Sequence, residues 1–368
     1  MARTGKAVIC RELNKPVVVE EVGVDGPRRG EVTVKIAACG VCHSDLSATN
    51  GTIALPPPLV LGHEAAGEVV EVGEGVTGLA AGDHVVSSFV YMCGKCRFCA
   101  GGRPVLCVEQ GKALTTTPEG TPRVHDKAGK PLGIFSGCGV MAEYATLSED
   151  NLVKIDKRIP LDRAALVGCA VTTGVGAVFN TARVEPGSSV AVFGCGGVGL
   201  NVVQGAAIAG AERIIAIDTL QEKLDMAKAF GATDTILSRP GEDVAKALKK
   251  MTGGGPDYAF ECVGAGALAE TAYRAIRRGG KALIVGVARP TDSASFKPMG
   301  MVFEEKTLQG SYFGSSVPRI DFPRLLQLYM AGKLKLDELI TRRYAIAEAP
   351  QAFADLESGR NARGVIVF

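Results

Sequence analysis

Tryptophan is absent from the sequence, and aromatic residues make up only 5% of it. There is no run of aromatics to serve as a stacking platform for single-stranded nucleic acid. Charge of one sign is equally scarce. Lys and Arg number 41 against 39 Asp and Glu, a net charge of +2, and the cations are scattered rather than striped. No nucleic-acid or anionic-membrane partner is expected on that basis. No apolar run approaches the roughly 20 residues of a membrane-spanning helix. The opening MARTGKAVICRELNKP lacks both the apolar core and the cleavage pattern of a secretory signal. A cytoplasmic protein is therefore expected.

Glycine, by contrast, is abundant at 47 residues without a collagen period. That points to tight turns and close backbone approaches, the kind used around a cofactor. The 368 residues exceed the roughly 250–300 at which single cores stop growing, so two domains are expected. The first part reads as short β-segments, at 17–22, 31–39, 64–76 and 83–89, separated by Gly and Pro in the manner of a compact barrel. The polar, threonine-rich segment Lys112–Lys130 reads as a long surface loop. After about Thr172 strands alternate with helices. Residues 188–200 read as a short apolar strand, a glycine turn and the opening of a helix. Further strands are expected at 213–218, 234–237, 257–262, 281–287 and 307–311, with helices at 221–232, 242–251 and 266–277. This is the pattern of a parallel sheet covered on both faces. A helix at 322–334 and a last strand, RGVIVF, return toward the first domain.

Eleven cysteines are present, but not as a disulfide framework. Cys93, Cys96, Cys99 and Cys107 crowd one short loop, which in a reducing compartment indicates a metal. Four soft ligands suit a closed tetrahedral zinc site that stiffens the loop. An iron–sulfur cluster is the competing reading, disfavoured by the missing proline after the last cysteine and by the lack of any need for an electron relay. Cys10 and Cys138 read as small buried residues.

Gly194-Cys195-Gly196-Gly197-Val198-Gly199 is G-x-G-x-x-G between a strand and a helix, and Asp218 ends the next strand. In that setting the helix start holds a pyrophosphate and the acid binds the adenine ribose. A carboxylate repels a 2′-phosphate, so NAD is favoured over NADP, with Lys223 in reach of the ribose. A structural turn at the glycines and a helix cap at Asp218 are the plainer alternatives.

A further set is dispersed: Cys42 in CGVCHSD, His63-Glu64 in LGHEAAG, and Cys169 in LVGCAVTTG. Spacing does not connect them. The chain resembles, over nearly its full length, the zinc-dependent medium-chain alcohol dehydrogenases of the long-loop dimeric type. Gly62-His63-Glu64-Ala65-Ala66-Gly67 with Val72-Gly73, the four-cysteine loop and GCGGVG followed by an acid carry the likeness.

The resemblance implies an α/β plus β fold. A GroES-like, partly barrel-shaped catalytic domain (1–170 and 315–368) would accompany a Rossmann doubly wound, parallel-sheet coenzyme domain (171–314). It implies two zinc ions per chain, the catalytic one on Cys42, His63 and Cys169, with Glu64 behind it and Asp45 on the second ring nitrogen of His63. Ser44 would pass the proton, and a turn cap is its plainer alternative. Ser47 stands where many relatives complete the relay with histidine, and His43 where they often have a phosphate-binding arginine. Arg363 would be a second phosphate ligand, Thr173 and the backbone of Val287 would meet the nicotinamide, and Phe89 and Met141 would line the substrate pocket.

The implied activity is reversible oxidation of a primary alcohol, bulky, aromatic and long-chain ones included, to an aldehyde by hydride transfer to NAD, in a homodimer rather than a short-loop tetramer. The enzymatic alternative is a glutathione-dependent formaldehyde (S-hydroxymethylglutathione) dehydrogenase. The non-enzymatic one is a zinc-stabilised nucleotide-binding structural or regulatory protein.

Overall fold

β-Branched residues in partial alternation give the N-terminal part ten strands. These are β1 (Arg3–Cys10), β2 (Val18–Val24), β3 (Glu31–Val41), β4 (Leu59–Val60), β5 (Ala65–Val72), β6 (His84–Ser87), β7 (Val124–His125), β8 (Pro131–Ile134), β9 (Tyr144–Ser148) and β10 (Leu152–Lys154). The structure, a computed structural model, describes residues 2–359 and 361–368. Six further strands follow, β11 (Ser189–Phe193), β12 (Arg213–Asp218), β13 (Asp234–Leu237), β14 (Tyr258–Glu261), β15 (Lys281–Ile284) and β16 (Thr307–Gly310), and then the returning β17 (Ile340–Ala345) and β18 (Arg363–Val367).

Two compact units result. One comprises the chain up to Cys169 with Val317–Gly332 and Leu336–Phe368; the other comprises Ala170–Ser316 with Lys333–Lys335. The three lysine-flanked residues join the second unit because Gln204 accepts a hydrogen bond from the Lys335 N–H at 2.9 Å and donates to its carbonyl at 3.3 Å.

In the first unit β1, β2, β7, β8 and β4 close into a small barrel, the partly barrel-shaped architecture expected. Its interior is filled by Ala7, Ile9, Val22, Val24, Val60, Val124, Leu132 and Ile134. A second sheet runs β10-β6-β5-β3-β18-β17, with β9 also on β3. β18 lies antiparallel to β3, so the C-terminal RGVIVF strand is built into this unit. The segment Lys112–Lys130 is not a plain surface loop. It contains β7 and the side chain of Arg123, 1% exposed and ion-paired with Glu31, which ties it into the core.

In the second unit the order is β13-β12-β11-β14-β15-β16, every pairing parallel. Val190, Ala191 and Val192 of β11 are 0% exposed because helices cover both faces, as a parallel sheet requires. The helix read at 322–334 runs instead over Pro318–Met330. Proline suits a first helical turn, and Pro318 occupies it. Pro323 sits inside the helix.

Candidate functional site

The first unit brings Cys42, His63 and Cys169 together. Cys42 follows β3, and His63 and Glu64 immediately precede β5; these strands are antiparallel neighbours with Cys39 opposite Ala65. The end of one thus abuts the start of the other. Cys169 arrives through the turn Leu166–Gly168, where a Cβ on Gly168 would stand 2.9 Å from the Ser87 carbonyl oxygen and 3.0 Å from Glu64 Cα. Only glycine permits that approach.

The donor atoms of the three residues all lie within 4.8 Å of one another, and all three residues are buried. The Sγ atoms of Cys42 and Cys169 are 4.0 Å apart, too far for a disulfide. Two thiolates at 2.3 Å from a tetrahedral zinc would be about 3.8 Å apart, so this donor set fits the ion. The Cys169 sulfur holds the Cys42 thiol well below its usual pKa, with His63 adding to the effect against burial. Burial alone would lower the His63 pKa, but Asp45 and Cys42 raise it to about 10.

Around the triad, Asp45 Oδ2 stands 3.2 Å from His63 Nδ1, close enough to pair but not aligned as a hydrogen bond. Its Oδ1 accepts the Gly62 N–H at 2.7 Å, which fixes the carboxylate. Glu64, 0% exposed, is ion-paired with Arg363, itself 4% exposed on β18. Arg363, expected against a phosphate, therefore has its guanidinium on the acid behind the ligand set. Ser44 Oγ is 3.7 Å from Cys42 Sγ. Ser44 and Ser47 are half-buried and His43 exposed on the short helix His43–Thr49.

Phe89 meets the His63 ring edge-on with centroids 5.4 Å apart. Phe135 does the same at 5.3 Å, a neighbour that nothing in the sequence marked. Met141, expected to line the pocket, is 0% exposed in the core, and its N–H bonds Leu61. It is a packing residue.

Cys93, Cys96, Cys99 and Cys107 also converge, with Sγ atoms within 4.8 Å of one another. The N–H groups of Cys93, Cys96 and Cys99 donate to Cys107, Cys93 and Cys96 sulfurs at 3.5, 3.4 and 3.5 Å. The Cys99 N–H, with that of Val108, brings the Cys96 thiol down to about 6, whereas burial pushes the Cys99 thiol up to about 12 and that of Cys107 up as well. Four inward sulfurs on one loop fit a closed tetrahedral zinc site.

In the second unit Gly194, Gly196, Gly197 and Val198 are half-buried between β11 and the helix Gly197–Ile208. A Cβ on Gly199 would lie 1.8 Å from the Gly194 carbonyl oxygen, whereas one on Gly196 would meet nothing within 4 Å. The turn is thus closed on its inner side and open at the helix start, where the N-cap, Gly196, has no side chain to cap the first N–H groups. This cradle fits a pyrophosphate. Asp218 Oδ2 accepts the Cys195 N–H at 2.8 Å, and its Oδ1 accepts those of Thr219 and Leu220 at 2.8 and 3.1 Å. The acid thereby ties the glycine turn to the end of β12 without capping the next helix, whose N-cap is Leu220. Lys223 and Thr173 are half-buried, and Val287 is 68% exposed.

Residues 28–157 match the alcohol dehydrogenase GroES-like domain, and 197–331 match the zinc-binding dehydrogenase family. An NDMA-dependent alcohol dehydrogenase of Amycolatopsis methanolica is 41% identical over 98% of both chains. The chain belongs to the zinc-dependent medium-chain alcohol dehydrogenases. An S-(hydroxymethyl)glutathione dehydrogenase of Saccharomyces cerevisiae is also 41% identical, over 98% of this chain and 95% of that one.

Among solved structures, an alcohol dehydrogenase zinc-binding domain protein from Burkholderia ambifaria superposes at TM-score 0.95 with 37% identity, covering 100% of both chains. Benzyl alcohol dehydrogenase from Acinetobacter calcoaceticus gives 0.94 and 32%, covering 100% and 99%. A putative zinc-binding dehydrogenase from Sinorhizobium meliloti 1021, bound to NADP, gives 0.83 and 26% over 100% of both. This medium-chain dehydrogenase is an alcohol dehydrogenase oxidoreductase with a GroES-like domain and a Rossmann-type coenzyme domain.

Proposed function

We propose that the enzyme oxidises primary alcohols to aldehydes with NAD, using Cys42, His63 and Cys169 to hold a catalytic zinc and Cys93, Cys96, Cys99 and Cys107 to hold a structural one. The observation that carries this reading is the convergence of two buried sulfurs and one imidazole from remote segments, within 4.8 Å of one another. When bound, zinc supplies a Lewis acid and the dinucleotide a hydride acceptor.

The chain's own residues do the rest. Asp45 stands on the Nδ1 side of His63 and leaves Nε2 for ligation. Arg363 neutralises Glu64 behind the ligand set. Ser44, beside Cys42, is the hydroxyl placed to carry the substrate's proton, and Ser47 leaves its further path to water. Phe89 gives the site an apolar wall that favours uncharged substrates. The glycine turn takes the pyrophosphate and Asp218 the ribose hydroxyls, with His43, Lys223, Thr173 and Val287 as further coenzyme contacts.

The test is metal content with turnover. Wild-type protein should carry two zinc ions per chain, and Cys42→Ser should lose one together with turnover. Normal turnover in that variant would refute the ligand role. With Asp218 facing the 2′-position, kcat/KM should favour NAD over NADP by about 100-fold, as like-charge juxtaposition costs several kcal/mol. A preference for NADP would remove Asp218 from the ribose.

The second reading, S-(hydroxymethyl)glutathione oxidation, is favoured by the yeast relative's identity, equal to that of the alcohol dehydrogenase relative. Formaldehyde oxidation that depends on added glutathione would establish it. A homodimer and a cytoplasmic location complete the proposal. Among the described residues no single helix is long and apolar enough to cross a membrane.

A further inference from the structure

Glu261 has no part in the chemistry above. It ends β14, in the interior of the six-stranded sheet, opposite Phe193 of β11 and Ile284 of β15. Its exposure is 0%. Burying a carboxylate is costly, and that burial pushes the Glu261 pKa up against backbone hydrogen bonds from Gly264, Val263 and Ala265 that pull it down. A β-branched apolar residue would suit a central strand better, so the acid needs another reason to be there.

That reason lies in what it holds. Glu261 Oε1 accepts the N–H groups of Val263 and Gly264, each at 2.8 Å, while Oε2 has no hydrogen-bonding partner among the described residues. Its carbonyl accepts those of Val285 and Gly286 at 2.9 and 3.0 Å. One residue therefore fixes both the turn after β14 and the segment after β15. The turn in its place touches two parts of the coenzyme cradle. A Cβ on Gly194 would lie 2.4 Å from Val263 Cγ2, so Val263 rests on the first fingerprint glycine. Gly264, at φ +88°, lies so close to Val287 that a Cβ would come within 2.4 Å of its carbonyl oxygen.

We propose that Glu261 is a positioning residue for the nicotinamide half of the dinucleotide: it holds the Val263–Gly264 turn that braces Gly194 and Val287. This rests on the coenzyme reading given above. The adenine ribose is set by Asp218 on the other side of β11, and that acid is held by the N–H groups of Cys195, Thr219 and Leu220 rather than by this turn.

Calorimetric titration of the intact enzyme with NADH and with AMP tests it. Glu261→Ala removes both hydrogen bonds to the turn and should weaken NADH at least about tenfold while leaving AMP within about twofold. Glu261→Gln, whose amide oxygen can accept both N–H groups, should keep NADH affinity within about threefold of wild type. Equal weakening of NADH and AMP, or unchanged NADH affinity in Glu261→Ala, would overturn the inference. Should Glu261→Ala not fold, Gly264→Ala displaces the same turn and must show the same split, or the inference fails. Wild-type protein that binds neither NADH nor AMP would instead sink the coenzyme reading itself.

Discussion

Arg123 is among the largest fully buried side chains, with Nε and Nη2 on the Glu31 carboxylate at 2.8 and 2.9 Å. Glu31, 0% exposed, also accepts the Arg28 N–H at 2.8 Å. Removing one partner leaves the other charge buried and uncompensated, so Arg123→Leu should cost about 3–5 kcal/mol in urea denaturation. Adding Glu31→Leu should restore most of it, because a well-packed apolar pair replaces the ions at little net cost. A single-variant loss no larger than an exposed ion pair, about 0–1 kcal/mol, would contradict the burial. This pair was invisible in the sequence. Arg123 sits in a polar run without periodicity, and its partner is 92 positions away. The convergence of Cys93, Cys96, Cys99 and Cys107 was legible because all four share one loop. Cys42, His63 and Cys169 were legible only through the family resemblance, since strand pairing and not spacing brings them together.

Elements with a period or a motif could be read, and those without could not. β11, β12, β14 and the glycine turn announce themselves by continuous apolar strands and a glycine fingerprint. β4 and β7 have two residues each, too few for any alternation, yet they complete the barrel. The four-cysteine loop lies between these extremes. It has only a four-residue helix, Arg97–Ala100, and a three-residue turn, Pro104–Leu106, of its own, and Cys93, Cys96 and Cys99 are half-buried. So little apolar burial cannot order the loop alone, and the zinc proposed for the four sulfurs would supply the difference. Cys99→Ser should therefore lower zinc from two ions to one per chain and open the 93–113 stretch to limited proteolysis. NADH binding should survive, because the glycine turn lies in the other unit. Zinc content unchanged at two would show that the four sulfurs hold nothing.

At the scale of the molecule, two domains were implied by length alone, but the assembly has to be argued from what the fold leaves uncovered. β16 ends the six-stranded sheet, and no strand among the described residues pairs with its outer edge. The helix before it, Pro298–Glu304, exposes Met299, Val302 and Phe303 at 72%, 72% and 77%. An open strand edge beside apolar side chains invites pairing with another chain unless something covers it. A second copy can do so by a two-fold axis that presents the same edge from both sides, closing the assembly at two. Light scattering of the purified enzyme should then give twice the 38.2 kDa chain mass. Aspartate at both Val302 and Phe303 places four charges in that contact and should yield the single chain while both zinc ions stay bound, since all seven ligands lie in the first unit. A monomeric wild type would mean that this edge faces water, and a dimer unaffected by the two aspartates would place the contact on another surface.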